Sequence, residues 1–370
     1  MSKIFEIFGY PLTDSSNEAK ECRKTAQCPF MGKECDGGGN RYLSSIDLSK
    51  SAALRSFFGS RTGTVCAGIC SLQLHDGEAP WIVCPRRLLV LGREAQGRRA
   101  FQIQSEKVAL GYLGYESGTR LGVWPEMKMK YSGAAGGTSK NFDYTFDYVI
   151  MPLGQVHQKE VEKLWGLGWG EARAIFERAG YTIARRGGEY FVEDAPLGIP
   201  SIIEIMTSST SGGNKTHRTT IPMAFEDAIL GRQHEGPGIN YRQVWARMVS
   251  QLIVKSEVTL AWGGKTLWVV QDALVDYICS STALNIRSFL ASHPEEVNML
   301  SFSYGTAFSR GAGVIELSDP RLFAGPIAPL SSGPRTPSFQ DMVKAPICPP
   351  LSHLYSLLAR RRPANTVLVT

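Results

Sequence analysis

The stretch IPSIIEIMTSSTSGGNKTHR, Ile199–Arg218, decides how this chain is read. It opens with an apolar run, Ile202-Ile203-Glu204-Ile205-Met206, that carries one carboxylate in its middle. Such a run predicts a buried strand, and a buried strand carries a charge only where that charge is paired or holds a metal. Glu204 is read as a metal-holding carboxylate; the plainer alternative is a paired structural acid. The run passes into a Ser/Thr/Gly loop that ends in Lys215, His217 and Arg218.

Upstream, WPEMKMKY (Trp124–Tyr131) alternates with period two, and FDYTFDYVIM (Phe142–Met151) forms a second strand beyond a Gly-rich turn. Together they predict a hairpin. Asp143 and Asp147 lie on one strand face roughly 13 Å apart, at ~3.3 Å per residue, so one of them serves a given ion unless the strand bulges. Residues 153–198 read as an insertion: a helical segment with Trp165 and Trp169 one turn apart, then a hairpin turning at Gly187-Gly188. Arg185 and Arg186 at that turn are candidates to reach DNA.

Downstream, Asn240 caps a helix whose apolar face is Val244, Met248, Leu252 and Ile253. KTLWVV (Lys265–Val270) is a further strand. The order strand, strand, strand, helix, strand predicts an α/β domain with a mixed sheet. From Pro320 onward the chain is rich in Pro, Gly and Ser, and an irregular tail is expected.

Near the N-terminus, Cys28, Cys35, Cys66, Cys70 and Cys84 follow one another, and SLQLHDGEAPWIV between Cys70 and Cys84 predicts a hairpin. Thiolates on hairpin ends and short loops suit a tetrahedral soft-metal site. Scattered core thiols are the alternative.

The chain has 370 residues, 43% hydrophobic and 20% charged, with a formal net charge of +6. That composition predicts a soluble globular protein, and the basic excess is compatible with a polyanionic partner. The N-terminal stretch lacks the apolar region of a signal peptide and no segment is long enough to span a membrane, so a cytoplasmic location and reduced thiols are expected. The chain carries no GxxxxGK[ST], GxSxG or HExxH motif.

An Asp on one strand and a Glu on its neighbour can hold Mg2+, which activates water and neutralises a phosphodiester transition state. Asp147 and Glu204 resemble the paired acids of the PD-(D/E)XK nucleases. In that pattern the third group, usually Lys, falls two residues after the Glu. Here Met206 occupies it. Either another lysine reaches in, with Lys215 ahead of Lys128, or metal and water suffice.

More closely, the chain resembles the NotI-type type II restriction endonucleases. The resemblance rests on Gln27-Cys28-Pro29-Phe30…Cys35, Gly68-Ile69-Cys70-Ser71 and Trp81-Ile82-Val83-Cys84-Pro85-Arg86-Arg87. It also rests on Phe146-Asp147-Tyr148, Ile203-Glu204-Ile205 and the Asn240 helix with its following strand. It covers residues of about 20 to 280. It implies a restriction endonuclease-like mixed-sheet core flanked by helices, with an N-terminal four-cysteine lobe. Cys28, Cys35, Cys70 and Cys84 would bind one structural iron or zinc, leaving Cys66 spare. Glu126 lines up with another family acid.

The implied activity is Mg2+-dependent hydrolysis of double-stranded DNA at a specific palindrome by a homodimer, leaving 5′-phosphates. A cognate DNA methyltransferase would be the functional, not physical, partner in a restriction-modification system. DNA contacts would come from Lys215, His217 and Arg218, then Arg185 and Arg186, with Arg86 and Arg87 on the rim of the cysteine lobe. The family carries Gln where Met206 stands, and the 56 residues between Asp147 and Glu204 are more than the family leads one to expect. The competing reading is a metal-clipped, sequence-specific DNA-binding protein whose nuclease site has degenerated. The expected organisation is a metal-binding lobe over 1–90, a nuclease core over 91–295 and a C-terminal extension over 296–370.

Overall fold

The computed structural model describes residues 2–38, 44–59, 61–92, 99–135, 138–211, 213–281, 284–328, 338–339 and 349–369. Among them the fold is mixed α/β, built on a nine-stranded mixed sheet. Its centre is the strand Ser201–Met206, every residue of which is buried. On one side it runs antiparallel to the strand Thr138–His157, in the register Tyr148 opposite Ile203 and Ile150 opposite Ser201. On the other it runs parallel to Lys265–Gln271, with Glu204 opposite Trp268. Val297–Ser303 continues the sheet in parallel and Ser318–Gly325 closes that side antiparallel. The central strands read as continuous Val, Ile, Leu and Trp because both sheet faces are covered.

One face packs Leu121, Val123, Tyr148, Ile203, Ile205, Leu267 and Val269 into a common core. The other receives the helix Tyr241–Ala261, capped by Asn240 as its side chain accepts the Gln243 N–H. Val254, Val258 and Trp262 of that helix meet Phe146, Val149 and Ile202. Each such large apolar side chain contributes about 1.5–3 kcal/mol when removed from water.

The predicted hairpin is present but longer than expected: Arg120–Ala135 pairs with Thr138–His157. The long strand has room for two neighbours on its other edge, Ser201–Met206 at residues 148–150 and Glu189–Pro196 at residues 153–157. The insertion therefore extends the sheet. It contains the helices Gln158–Trp165 and Trp169–Arg178 and the hairpin Ile183–Arg186/Glu189–Pro196, which turns at Gly187-Gly188 as expected. Trp165 is core, packed on Phe176 and Tyr355.

The tail departs from expectation. Beyond Pro320 the strand Ser318–Gly325 is finished, Leu351–Ala359 is a helix, and Asn365–Leu368 pairs with Arg120–Val123. The helix is held because Leu354, Tyr355 and Leu358 enter the core under the insertion. Residues 329–337 and 340–348, where much of the Pro and Ser content lies, fall outside the described residues.

The N-terminal segment Lys3–Ile7, unassigned from sequence, pairs with Ile69–Gln73, which pairs with Trp81–Ile82. This small sheet is fastened to the ends of the central strands. Ile82 N–H donates to Gln271 Oε1 at 2.8 Å, and Ser208 N–H donates to Ile82 O at 2.9 Å. Among the described residues no helix is long and apolar enough to cross a membrane.

Candidate active site

The ladder between the Asp147 and Glu204 strands runs out at Tyr148–Ile203. Beyond it, side chains take over. Glu204 Oε1 accepts the Asp147 N–H at 3.3 Å, and Asp147 Oδ2 accepts the Ile205 N–H at 2.8 Å. Each acid thus satisfies a backbone donor of the other strand, which fixes both carboxylates side by side at the sheet's end.

Glu204 is only 2% exposed. Its Oε2 accepts from Lys255 Nζ at 2.5 Å, and Lys255 Nζ also donates to Thr145 O at 2.7 Å. Lys255 belongs to the helix Tyr241–Ala261 and is itself buried. Burial pushes the Glu204 carboxyl up to about 8 against the pull of Lys255, and the charge of Asp147 adds to the rise. Burial also raises Asp147, opposed by the Ile205 N–H and by Lys255. Burial is the larger cause of both rises, and beside it two acidic groups face a single ammonium. A divalent cation would supply further positive charge.

These groups open onto a cleft of about 590 Å3. Its wall includes Asp147, Glu204, Met206, Thr207, Ser208, Ser209, Arg247, Gln251 and Lys255. Asp143 also borders the cleft, but it pairs with Lys130 at 3.4 Å and Lys128 at 3.8 Å, so Lys128 is engaged there and not at the buried acids.

Lys215 does not reach the carboxylates. It stands exposed in a turn beyond the strand and is not among the residues lining the cleft. Lys255 occupies the place for which Lys215 was the candidate, while Met206 packs beneath the same helix with Val244 and Met248. Glu126 lies near Asp147 in the next strand, at φ 50°, with its Oε1 3.8 Å from Arg86 Nη2. Its charge raises Asp147, but it stays outside the cleft wall.

Among the proposed DNA contacts, His217 is exposed. Arg218 is not free: its Nε and Nη2 grip Asp227 at 2.7 and 2.9 Å, with Glu226 at 3.3 Å. Arg87 is fully buried, bound to Glu6 at 3.2 Å and lying over Phe30 and Tyr304. It clamps the N-terminal strand and is no rim contact. Arg86 holds Asp36 Oδ2 at 3.2 Å and Tyr148 OH at 3.1 Å. Arg185 stacks on Tyr190 and Arg186 pairs with Glu193 at 2.8 Å. Both sit on the hairpin that pairs with residues 153–157 of the long strand, past the segment that pairs with the Glu204 strand.

Cys28, Cys70 and Cys84 share one buried cluster, with Cys35 packed against it. Burial raises the Cys28 and Cys35 thiols, and Cys84 adds to the rise of each. Cys70 and Cys84 share a hydrogen bond that raises the first and lowers the second. Gly9 N–H and Gly37 N–H point at the sulfurs of Cys70 and Cys35, at 3.3 and 3.5 Å. Four gathered sulfurs with N–H donors make a donor set that fits a soft cation. Among the described residues no three His, Cys, Asp or Glu groups are arranged to hold a metal as they stand.

Sequence reasoning missed Lys255, although a signal was present: it continues the apolar face Val244, Met248, Leu252 where a lysine has no business unless paired. It also missed Arg247 and Gln251. No family model, curated protein or solved structure compared with this chain matches it.

Proposed function

We propose that this chain is a Mg2+-dependent endonuclease of double-stranded DNA, of the type II restriction kind and similar to the NotI-type enzymes on a PD-(D/E)XK core. The observation that carries the reading is Lys255 Nζ at 2.5 Å from Glu204 Oε2, beside Asp147. It supplies the ammonium that such a site needs and that Met206 cannot give. It also argues against a degenerate site, because a buried Glu–Lys pair facing an open polar cleft serves stability poorly.

Asp147 and Glu204 would hold the Mg2+, which when bound polarises the phosphodiester and lowers the pKa of water. Lys255 orients the Glu204 carboxylate and offers positive charge to the phosphate. The cluster of Cys28, Cys35, Cys70 and Cys84 would hold one structural iron or zinc, away from the chemistry. A homodimer on a palindrome, a cytoplasmic location and a partner methyltransferase belong to the same reading.

The test is digestion of phage DNA by the purified protein with Mg2+, followed by run-off sequencing of the ends. Discrete fragments with 5′-phosphates are expected. Tight binding to duplex DNA without cutting would instead leave the chain as a metal-clipped DNA-binding protein.

A further inference from the structure

We propose that Arg247 and Gln251 form a track for consecutive phosphates of the strand being cut, a proposal that rests on the nuclease reading above. Arg247, Gln251 and Lys255 follow one another at four-residue intervals on the helix Tyr241–Ala261, and all three line the cleft. Residues so spaced share a helix face and step along it by ~6 Å. Their exposure falls along the row: Arg247 is exposed, Gln251 half-buried and Lys255 buried. The row therefore descends from the mouth of the cleft to the paired acids.

Three other described arginines named for DNA contact are engaged. Arg86 is held by Asp36, Arg87 by Glu6 and Arg218 by Asp227. Neither the Arg247 guanidinium nor the Gln251 amide has a hydrogen bond or ion pair among the described residues. Thr207, Ser208 and Ser209, short polar residues, line the same cleft. A planar cation at the mouth and an uncharged amide farther in match a backbone whose charge is met first by Arg and then led past Gln to the reacting phosphate. A ~12 Å row covers a few nucleotides at 3.4 Å of rise per strand step.

The test uses the full chain and a fluorescein-labelled mixed-sequence DNA duplex, titrated by anisotropy over a range of NaCl without divalent metal. R247A is expected to weaken binding roughly tenfold at low salt and to flatten the slope of log K against log[salt] by about one. R247K should keep the slope, and Q251E should weaken binding by repelling phosphate. Thermal melts of each variant check folding, so a folded R247A with unchanged affinity and slope overturns the track. If the wild type binds DNA without cutting it and R247A still flattens the slope, the nuclease reading falls and the row stands only as a phosphate-binding track. If the wild type cuts DNA while R247A and Q251E leave KM and the slope unchanged, the track falls and the nuclease reading stands. A wild type that binds no duplex overturns both.

Discussion

Asp147 and Glu204 each accept a backbone N–H from the other's strand, Asp147 from Ile205 at 2.8 Å and Glu204 from Asp147 itself at 3.3 Å. This exchange occurs where the ladder stops, so the last backbone donors of the sheet become the fixings of the two acids. The remaining oxygen of Glu204 goes to Lys255. Rigid acids at a sheet end are what cation binding requires, because little is then lost in ordering the ligands.

The first prediction concerns that exchange. E204Q and D147N keep the shape of each side chain and one oxygen that can accept the backbone N–H, while in E204Q the amide NH2 turns to Lys255 at a cost in stability. Both variants are expected to stay folded and to bind duplex DNA, but to lose at least about a hundredfold in Mg2+-dependent cleavage. Cleavage rates on plasmid DNA measure this, and either variant cutting at the wild-type rate would remove that acid from the site.

Lys255 and Glu204 should be strongly coupled in stability. Removing one member of a buried pair costs about 3–5 kcal/mol, because the other is left without its counter-charge. K255M is therefore expected to lower the unfolding free energy by about that amount, while the double variant K255M/E204Q loses clearly less than the sum of the singles. Urea unfolding of the four proteins gives the coupling directly. Additive losses would show that the ammonium does not depend on the acid.

The Arg218–Asp227 clamp gives a pH signature. The hydrogen bonds from Arg218 hold the Asp227 carboxyl below its ordinary value of 3.8. A carboxyl depressed in the folded state stabilises above its unfolded pKa, and the contribution is lost as pH falls through the folded one. D227N should cost about 1 kcal/mol at pH 7 and nothing once Asp227 is protonated in both states. Thermal melts of both proteins between pH 7 and the acid limit test this; a difference that persists in acid would be unrelated to the charge. R218A, for its part, should leave the salt slope of DNA binding unchanged.

Protein purified without added metal should carry about one iron or zinc per chain, and stripping it should lower the melting temperature. Elemental analysis before and after chelation decides the matter; a chain that melts identically and carries no metal has a thiol core only. C84S should produce the same loss of metal and of melting temperature.

Much of the fold was legible in the sequence. The strand around Glu204 and KTLWVV could be read because both faces of the sheet are covered and nearly every residue had to be apolar, and the Asp147 strand because it forms a hairpin with its alternating neighbour. The adjacency of Asp147 and Glu204 followed from two predicted neighbouring strands. Arg87 could not be placed from sequence because charge type says nothing of pairing, and its partner Glu6 lies 81 residues away in the chain. The tail was misjudged because Leu354 and Leu358 find their core in the insertion, far away in sequence. Lys255 was hidden by a separation of 51 residues from Glu204.

That separation has a consequence for the strand. A lysine two positions after the Glu would be tied to the strand's register, whereas one delivered from a packed helix leaves that position to packing. Met206 fills it and joins the hydrophobic seam between strand and helix. The ammonium beside the two sheet-end acids therefore comes from the helix face, and its place depends on how that helix packs on the sheet.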